Sequence, residues 1–195
     1  MKNYSVVNPS TGKEDWVSRS LAVAVSVYAF IDNKLCILAN KRGPGTKEAP
    51  MDNVGKWNVV SGYLDYNETI KGCCIREVHE ETGVDISGFE LHRMDIDDSP
   101  RRPGQVVLFR YICGITDKNS NSYLKSPNLK KMLTNKYSEP NEVDEIKWIP
   151  LDELYKYDWS SENHKNKIIE YGKYIINYNS VFHTLYRFSD AVFDE

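Results

Sequence analysis

Apolar positions along the chain follow two rhythms. Leu21–Ile31, reading LAVAVSVYAFI, is an almost unbroken run of β-branched and aromatic residues, and it predicts a buried strand. Asp32 and Asn33 read as a turn, and residues 34–39 as a second strand that Gly43-Pro44-Gly45 closes off. Residues 43–56 are dense in turn formers and are expected to be loop, followed by a short strand at 57–61. Residues 67–82 change to helical spacing, with Asn67 as the expected N-cap and Gly83 where a C′ glycine belongs. Strands are expected at 87–95 and 105–115, with Pro100 and Pro103 forcing a loop between them. Residues 117–141 are a long polar stretch, in which 129–133 are expected to form a helical turn. A strand at 145–149, a short helix at 151–157 and a longer helix at 162–178 complete the pattern. Residues 1–18 read as an irregular arm, or as a strand that pairs elsewhere. Strands and helices mix without strict alternation, which predicts one α/β or α+β domain over 1–195. Within it, 1–18 form an arm, 19–157 the core and 158–195 a C-terminal helical extension.

Composition narrows the class. The chain has 195 residues, 41% hydrophobic and 27% charged, a length and balance that bury a core without disulfides or a structural metal. The net charge of -3 gives no basic excess, so dedicated nucleic-acid binding is not expected, while a small anionic substrate remains compatible. The first sixteen residues lack the apolar stretch of a secretory signal, and Leu21–Ile31 is too short to span a membrane. Cys36, Cys73, Cys74 and Cys113 form no CxxC pair and are expected to be reduced packing residues, which fits a cytoplasmic protein. Asn67-Glu68-Thr69 matches a glycosylation acceptor, and without a secretory route the match is accidental.

The chemistry concentrates in the predicted helix. Glu77, Glu80 and Glu81 stand at i, i+3 and i+4 and share one face, while Cys74, Ile75 and Val78 fall on a separate apolar stripe. Like charges at this spacing cost roughly 0.2–0.5 kcal/mol per pair. They also lie toward the helix C-terminus, where the macrodipole favours cations. Such a local conflict often marks a functional site. Hard cations such as Mg²⁺ seek oxygen ligands of this kind, and Arg76, four residues before Glu80, is placed to brace the cluster. On composition alone, a solvated acidic helix face explains the same residues.

The spacing of the whole segment separates the two readings. Gly62, five residues, Glu68, seven residues, then Arg76-Glu77-Val78-His79-Glu80-Glu81-Thr82-Gly83-Val84 resembles the Nudix box at every fixed position. Seven of those positions admit a single residue type, so chance gives on the order of 10⁻⁸ per starting point. The resemblance extends over roughly 20–155, through Gly55-Lys56-Trp57 before the box and EVDEIKWIPLDEL after it. It implies an α/β/α sandwich around a mixed β-sheet. It also implies hydrolysis of a nucleoside diphosphate linked to another moiety, with Mg²⁺ or Mn²⁺ as cofactor. By matching position, Glu77, Glu80 and Glu81 are the metal ligands, with the main-chain carbonyl of Gly62 as a further one. Arg76 orients the glutamates, and Glu68 starts the box helix. The general base is Glu81 or Glu142, with Glu145 as the fallback.

Outside the box, Arg42, Arg101, Arg102 and Trp57 are candidates for substrate binding, set against the plainer readings of solvated cations and a packing aromatic. Pro100, sixteen residues after the box, stands where some ADP-ribose-hydrolysing members carry proline. With the box intact, ADP-ribose or a related nucleotide sugar is the favoured substrate. The alternatives are a triphosphate pyrophosphatase that removes damaged nucleotides and a non-catalytic nucleotide-sensing module. The N-terminal arm raises a homodimer by strand exchange, and the 117–141 stretch a lid.

Overall fold

The computed structural model describes residues 4–17, 19–32, 34–48, 50–99, 106–117, 122–123 and 141–190. The N-terminal stretch, expected to be an irregular arm or a strand that pairs elsewhere, forms a hairpin with itself, β1 (Tyr4–Val7) on β2 (Glu14–Val17), with Tyr4 opposite Val17. Its turn is closed locally, since the Ser10 amide donates to Asn8 Oδ1 and the Gly12 amide to the Asn8 carbonyl.

The main sheet is built on β3 (Leu21–Ile31) and β4 (Lys34–Arg42), the hairpin that the apolar run predicts. The expected strand at 57–61 is two short ones, β5 (Trp57–Asn58) on β4 and β6 (Val60–Tyr63) on β3. After helix α1 (Ile70–Thr82) come β7 (Leu91–Asp97) and β8 (Val107–Gly114). β9 (Thr116–Asp117) and β10 (Ser122–Tyr123) pair as a small separate ribbon. β11 (Val143–Pro150), a 3-10 turn at Leu151–Lys156 and helix α2 (Glu162–Asp190) follow. The strand order is β11-β4-β3-β8-β7, parallel only between β3 and β8. This mixed sheet between α1 and α2 is the sandwich expected from the resemblance.

Several boundaries differ from the sequence reading, the last helix running to Asp190 rather than to 178, and two of them have a local cause. The N-cap of α1 is Thr69, not Asn67: Thr69 is extended and its Oγ1 accepts from the Gly72 amide at 3.0 Å. Asn67 sits at φ 63, a left-handed turn conformation that keeps it outside the helix. β7 begins at Leu91 rather than at 87, because the Ser87 amide bonds Asp85 Oδ1 and Phe89 bonds back to Ile86, making a turn of those residues. Arg101, Arg102, Pro100 and the expected turn at 129–133 lie outside the described residues.

Alternation along the strands divides the core in two. Val23, Val25, Val27 and Leu38 face α1 and pack on Cys73, Cys74 and Val78. Ala22, Ala24, Tyr28, Leu35 and Ile37 face the other way and pack on Ile168, Tyr171 and Ile175 of α2. All four cysteines are free and buried. Among the described residues no helix is long and apolar enough to cross a membrane.

Candidate active site

One guanidinium ties the carboxylates of helix α1 to one another and to the sheet. Arg76 donates from Nε to Glu68 Oε1 at 2.9 Å and from one terminal nitrogen to Glu68 Oε2 at 3.0 Å. Its other terminal nitrogen donates to Glu77 Oε1 at 2.8 Å and to Glu80 Oε2 at 2.9 Å. The nitrogen that serves Glu68 Oε2 also donates to the Tyr63 carbonyl at 3.0 Å, which ties the helix to the end of β6. The planar fork makes this possible, because one Arg can serve several carboxylates at fixed angles where Lys presents a point charge. These hydrogen bonds raise the Arg76 pKa and hold the Glu68 carboxyl below the usual carboxylate range. The like-charge conflict seen in the sequence is thus resolved by placing the cation among the carboxylates.

Glu77 and Glu81 are 7% and 6% exposed, unusual for carboxylates. Glu77 lies directly over Gly62, where a Cβ would come within 2.0 Å of its carboxyl group. Only glycine lets strand β6 and the carboxylate approach this closely. Gly83, at φ 70, ends the helix in the left-handed conformation, and its amide bonds the His79 carbonyl at 2.7 Å. Beneath the cluster, burial first and then the Glu68 and Glu77 charges push the Cys73 thiol up to about 12, so it stays protonated and donates to the Tyr63 carbonyl.

The donors that gather here are carboxylate oxygens and the main chain of Gly62, the hard set that Mg²⁺ or Mn²⁺ takes. Among the described residues no three ligating side chains converge on one point. Glu77 Oε1 and Glu80 Oε2 are engaged by Arg76. Mg²⁺ ordinarily completes its shell with waters and substrate phosphates rather than an all-protein cage.

The remaining candidates make other contacts. Glu142 is exposed just before β11, and its carbonyl accepts from the Gly43 amide at 2.7 Å. Glu145 pairs with Lys147 at 2.9 Å, and Lys147 lies over the rings of Trp57 and Tyr157. This puts Glu145 on the α2 side of the sheet, away from Glu81. Arg42 donates from Nε to the Asp52 carbonyl at 2.7 Å and so holds the 43–56 loop. Trp57 is buried on the α2 side, edge-on to Tyr157 at 5.3 Å.

One contact at the site has no counterpart in the sequence reading. Asn40, on β4, donates from Nδ2 to Glu81 Oε2. No motif marks it, and only the register of β4 beneath α1 brings it to Glu81. Asn58, paired with Asn40 across β5, accepts from Ser160 Oγ at 3.2 Å and bonds His164 Nδ1 at 2.8 Å, joining the start of α2 to the sheet.

A family model described as the NUDIX domain matches residues 20–171. The NAD-capped RNA hydrolase NudC of Vibrio atlanticus (strain LGP32) is 45% identical over 38 residues, 20% of this chain and 14% of that protein. The match thus spans only a small part of the curated relative. Among solved structures, a mutT/nudix family protein from Listeria innocua has a TM-score of 0.60 at 19% identity, covering 85% of this chain and 99% of that one. The NUDIX domain of Shewanella oneidensis NrtR, complexed with ADP ribose, has a TM-score of 0.57 at 16% identity, covering 86% and 93%. At these identities the structural likeness is one of fold.

Proposed function

Because the chain belongs to the Nudix family, we propose that it is a divalent-metal-dependent hydrolase of a nucleoside diphosphate linked to another moiety, with ADP-ribose or a related nucleotide sugar as the favoured substrate. The observation that carries this reading is the Arg76 fork, which holds Glu68, Glu77 and Glu80 together over Gly62. A solvated acidic face needs neither a buried pair of carboxylates nor a glycine pressed against one of them. The ADP ribose bound by the NrtR domain supports the choice of substrate, since that domain shares the fold over most of both chains.

Glu77, Glu80, Glu81 and the Gly62 carbonyl would hold Mg²⁺ or Mn²⁺. Such a cation, when bound, neutralises pyrophosphate charge and makes a water more acidic. The chain supplies the rest. Arg76 fixes the directions of Glu77 and Glu80, so that little reorganisation remains when substrate arrives. Glu81 or Glu142 takes the proton of the attacking water. Arg42 orders the loop at the end of β4, beside the strand that carries Asn40.

The test is incubation of the protein with Mg²⁺ and a panel of ADP-ribose, nucleotide sugars, dinucleotides, canonical and oxidised triphosphates and capped RNA fragments, with products identified by mass. We expect cleavage of a nucleotide sugar at the pyrophosphate, lowered about 10²–10⁴-fold in Glu81→Gln with the melting temperature little changed. Cleavage of triphosphates alone would favour the pyrophosphatase. Tight binding of one compound without turnover would favour a sensing module.

A further inference from the structure

We propose that Asn40 is a positioning residue of this site, whose side-chain amide fixes the orientation of the Glu81 carboxylate. The inference rests on the reading of α1 given above and adds a residue that the box does not contain.

A carboxylate as buried as Glu81 needs hydrogen-bond donors. The Arg76 guanidinium serves Glu68, Glu77, Glu80 and the Tyr63 carbonyl. Asn40 approaches Glu81 from the sheet instead, donating from Nδ2 to Oε2. The long side chain of a helical glutamate has three torsions to order, and a fixed donor at its tip orders the last of them.

Asn40 is a rigid donor. It is 5% exposed and lies on an interior strand, in register with Ile146 of β11 on one side and Asn58 of β5 on the other. Asn58 is itself held by Ser160 and His164. Leu38, two residues before Asn40 on the same face, packs in the apolar cluster beneath α1. An aliphatic residue at position 40 would continue that stripe.

The asparagine also carries a cost. Among the described residues, its buried Oδ1 has no hydrogen-bond partner. Turning the amide would put its carbonyl oxygen, in place of the donor, against Glu81 Oε2. A position that keeps a polar group at the expense of a buried unpaired acceptor is serving the carboxylate rather than the core.

The experiment compares Asn40→Leu, Asn40→Asp and Asn40→Gln with Glu81→Gln in the full chain. Three quantities are read: thermal melting, affinity for Mn²⁺ alone by electron paramagnetic resonance, and kcat and KM on the substrate the panel identifies. Asn40→Leu is expected to melt at or above the wild-type temperature yet bind Mn²⁺ about 10–100-fold more weakly, as loss of an orienting partner does. Its kcat should fall with KM little changed. Asn40→Asp keeps the shape but removes the donor and should weaken Mn²⁺ binding at least as much, which covers the case in which the leucine variant fails to fold. Asn40→Gln, which retains an amide, should recover part of the loss. Wild-type Mn²⁺ affinity and kcat in the folded Asn40 variants, with both lowered in Glu81→Gln, would overturn the role of Asn40 and leave the metal helix standing. Wild-type Mn²⁺ affinity in Glu81→Gln would overturn both.

Discussion

The two helices on either side of the sheet bury opposite kinds of side chain. α1 buries Glu77, Glu81 and Thr82 together with Cys73, Cys74 and Val78. α2 buries Ile168, Tyr171 and Ile175, an apolar and aromatic stripe against Tyr28, Leu35 and Ile37. α1 therefore spends packing surface on groups that are expensive to desolvate, and an arginine and an asparagine offset that cost through hydrogen bonds. α2 is the conventional amphipathic partner of a sheet. Under the proposed function, stability and chemistry are divided between the two faces, so that substitutions on one side should move one property far more than the other.

Among substitutions that test this division, the largest effect should come at Gly62. Gly62→Ala places a methyl group where the Glu77 carboxylate now lies, and the carboxylate must swing away. We expect turnover to fall by about 10²-fold, the cost of displacing a reacting group by about an ångström, with a modest change in melting. Activity within a few-fold of wild type would remove the division of roles on the α1 side.

The converse substitution is Ile168→Ala, at a fully packed position of α2. Denaturant unfolding should show a loss of about 2–5 kcal/mol, with kcat per folded molecule unchanged. A matching loss of kcat would show that α2 shapes the site as well as the core.

Acid sharpens the comparison from the α1 side. The Arg76 hydrogen bonds lower the Glu68 pKa, so the protein gains stability from this pair at pH values above the usual carboxylate range. That contribution should be lost as pH falls below about 4 and through the lowered value. Melting curves in Glu68→Gln should show a shallower acid decline than wild type, and an identical decline would argue against the pair.

The smallest effect is expected at Tyr28, whose buried hydroxyl donates to the Ile168 carbonyl at 2.8 Å. Burial raises its pKa, so it remains a neutral donor across the accessible pH range. Tyr28→Phe should cost about 1 kcal/mol and leave metal affinity unchanged. Calorimetry and Mn²⁺ titration of the same sample check both.

Much of the candidate site is legible because a helix makes sequence neighbours into spatial neighbours. Arg76, Glu77 and Glu80 are within one turn or so of each other whatever the rest of the chain does, and Gly62 and Glu68 precede them at fixed spacing. The β3–β4 hairpin is legible for a related reason, since its run of apolar residues has only one good place in a small domain. The helix start was displaced from Asn67 to Thr69 because both residue types can cap and only the local backbone decides between them. The N-terminal hairpin was missed because its strands are four residues long and flank a polar turn, giving periodicity too short to read.

By itself, then, the sequence determined the family, the helix that carries the carboxylates, and the glycine at each end of the box, because each depends on short-range spacing. The tertiary structure decided which face every strand turns to α1, and with it the neighbours of each carboxylate. Asn40 precedes Glu81 by 41 positions and meets it only through the register of β4. Glu145, close in sequence to Glu142, is turned toward α2 by strand alternation. Pairing between distant strands is set by the global burial of two apolar faces, and no local window of the chain contains that information.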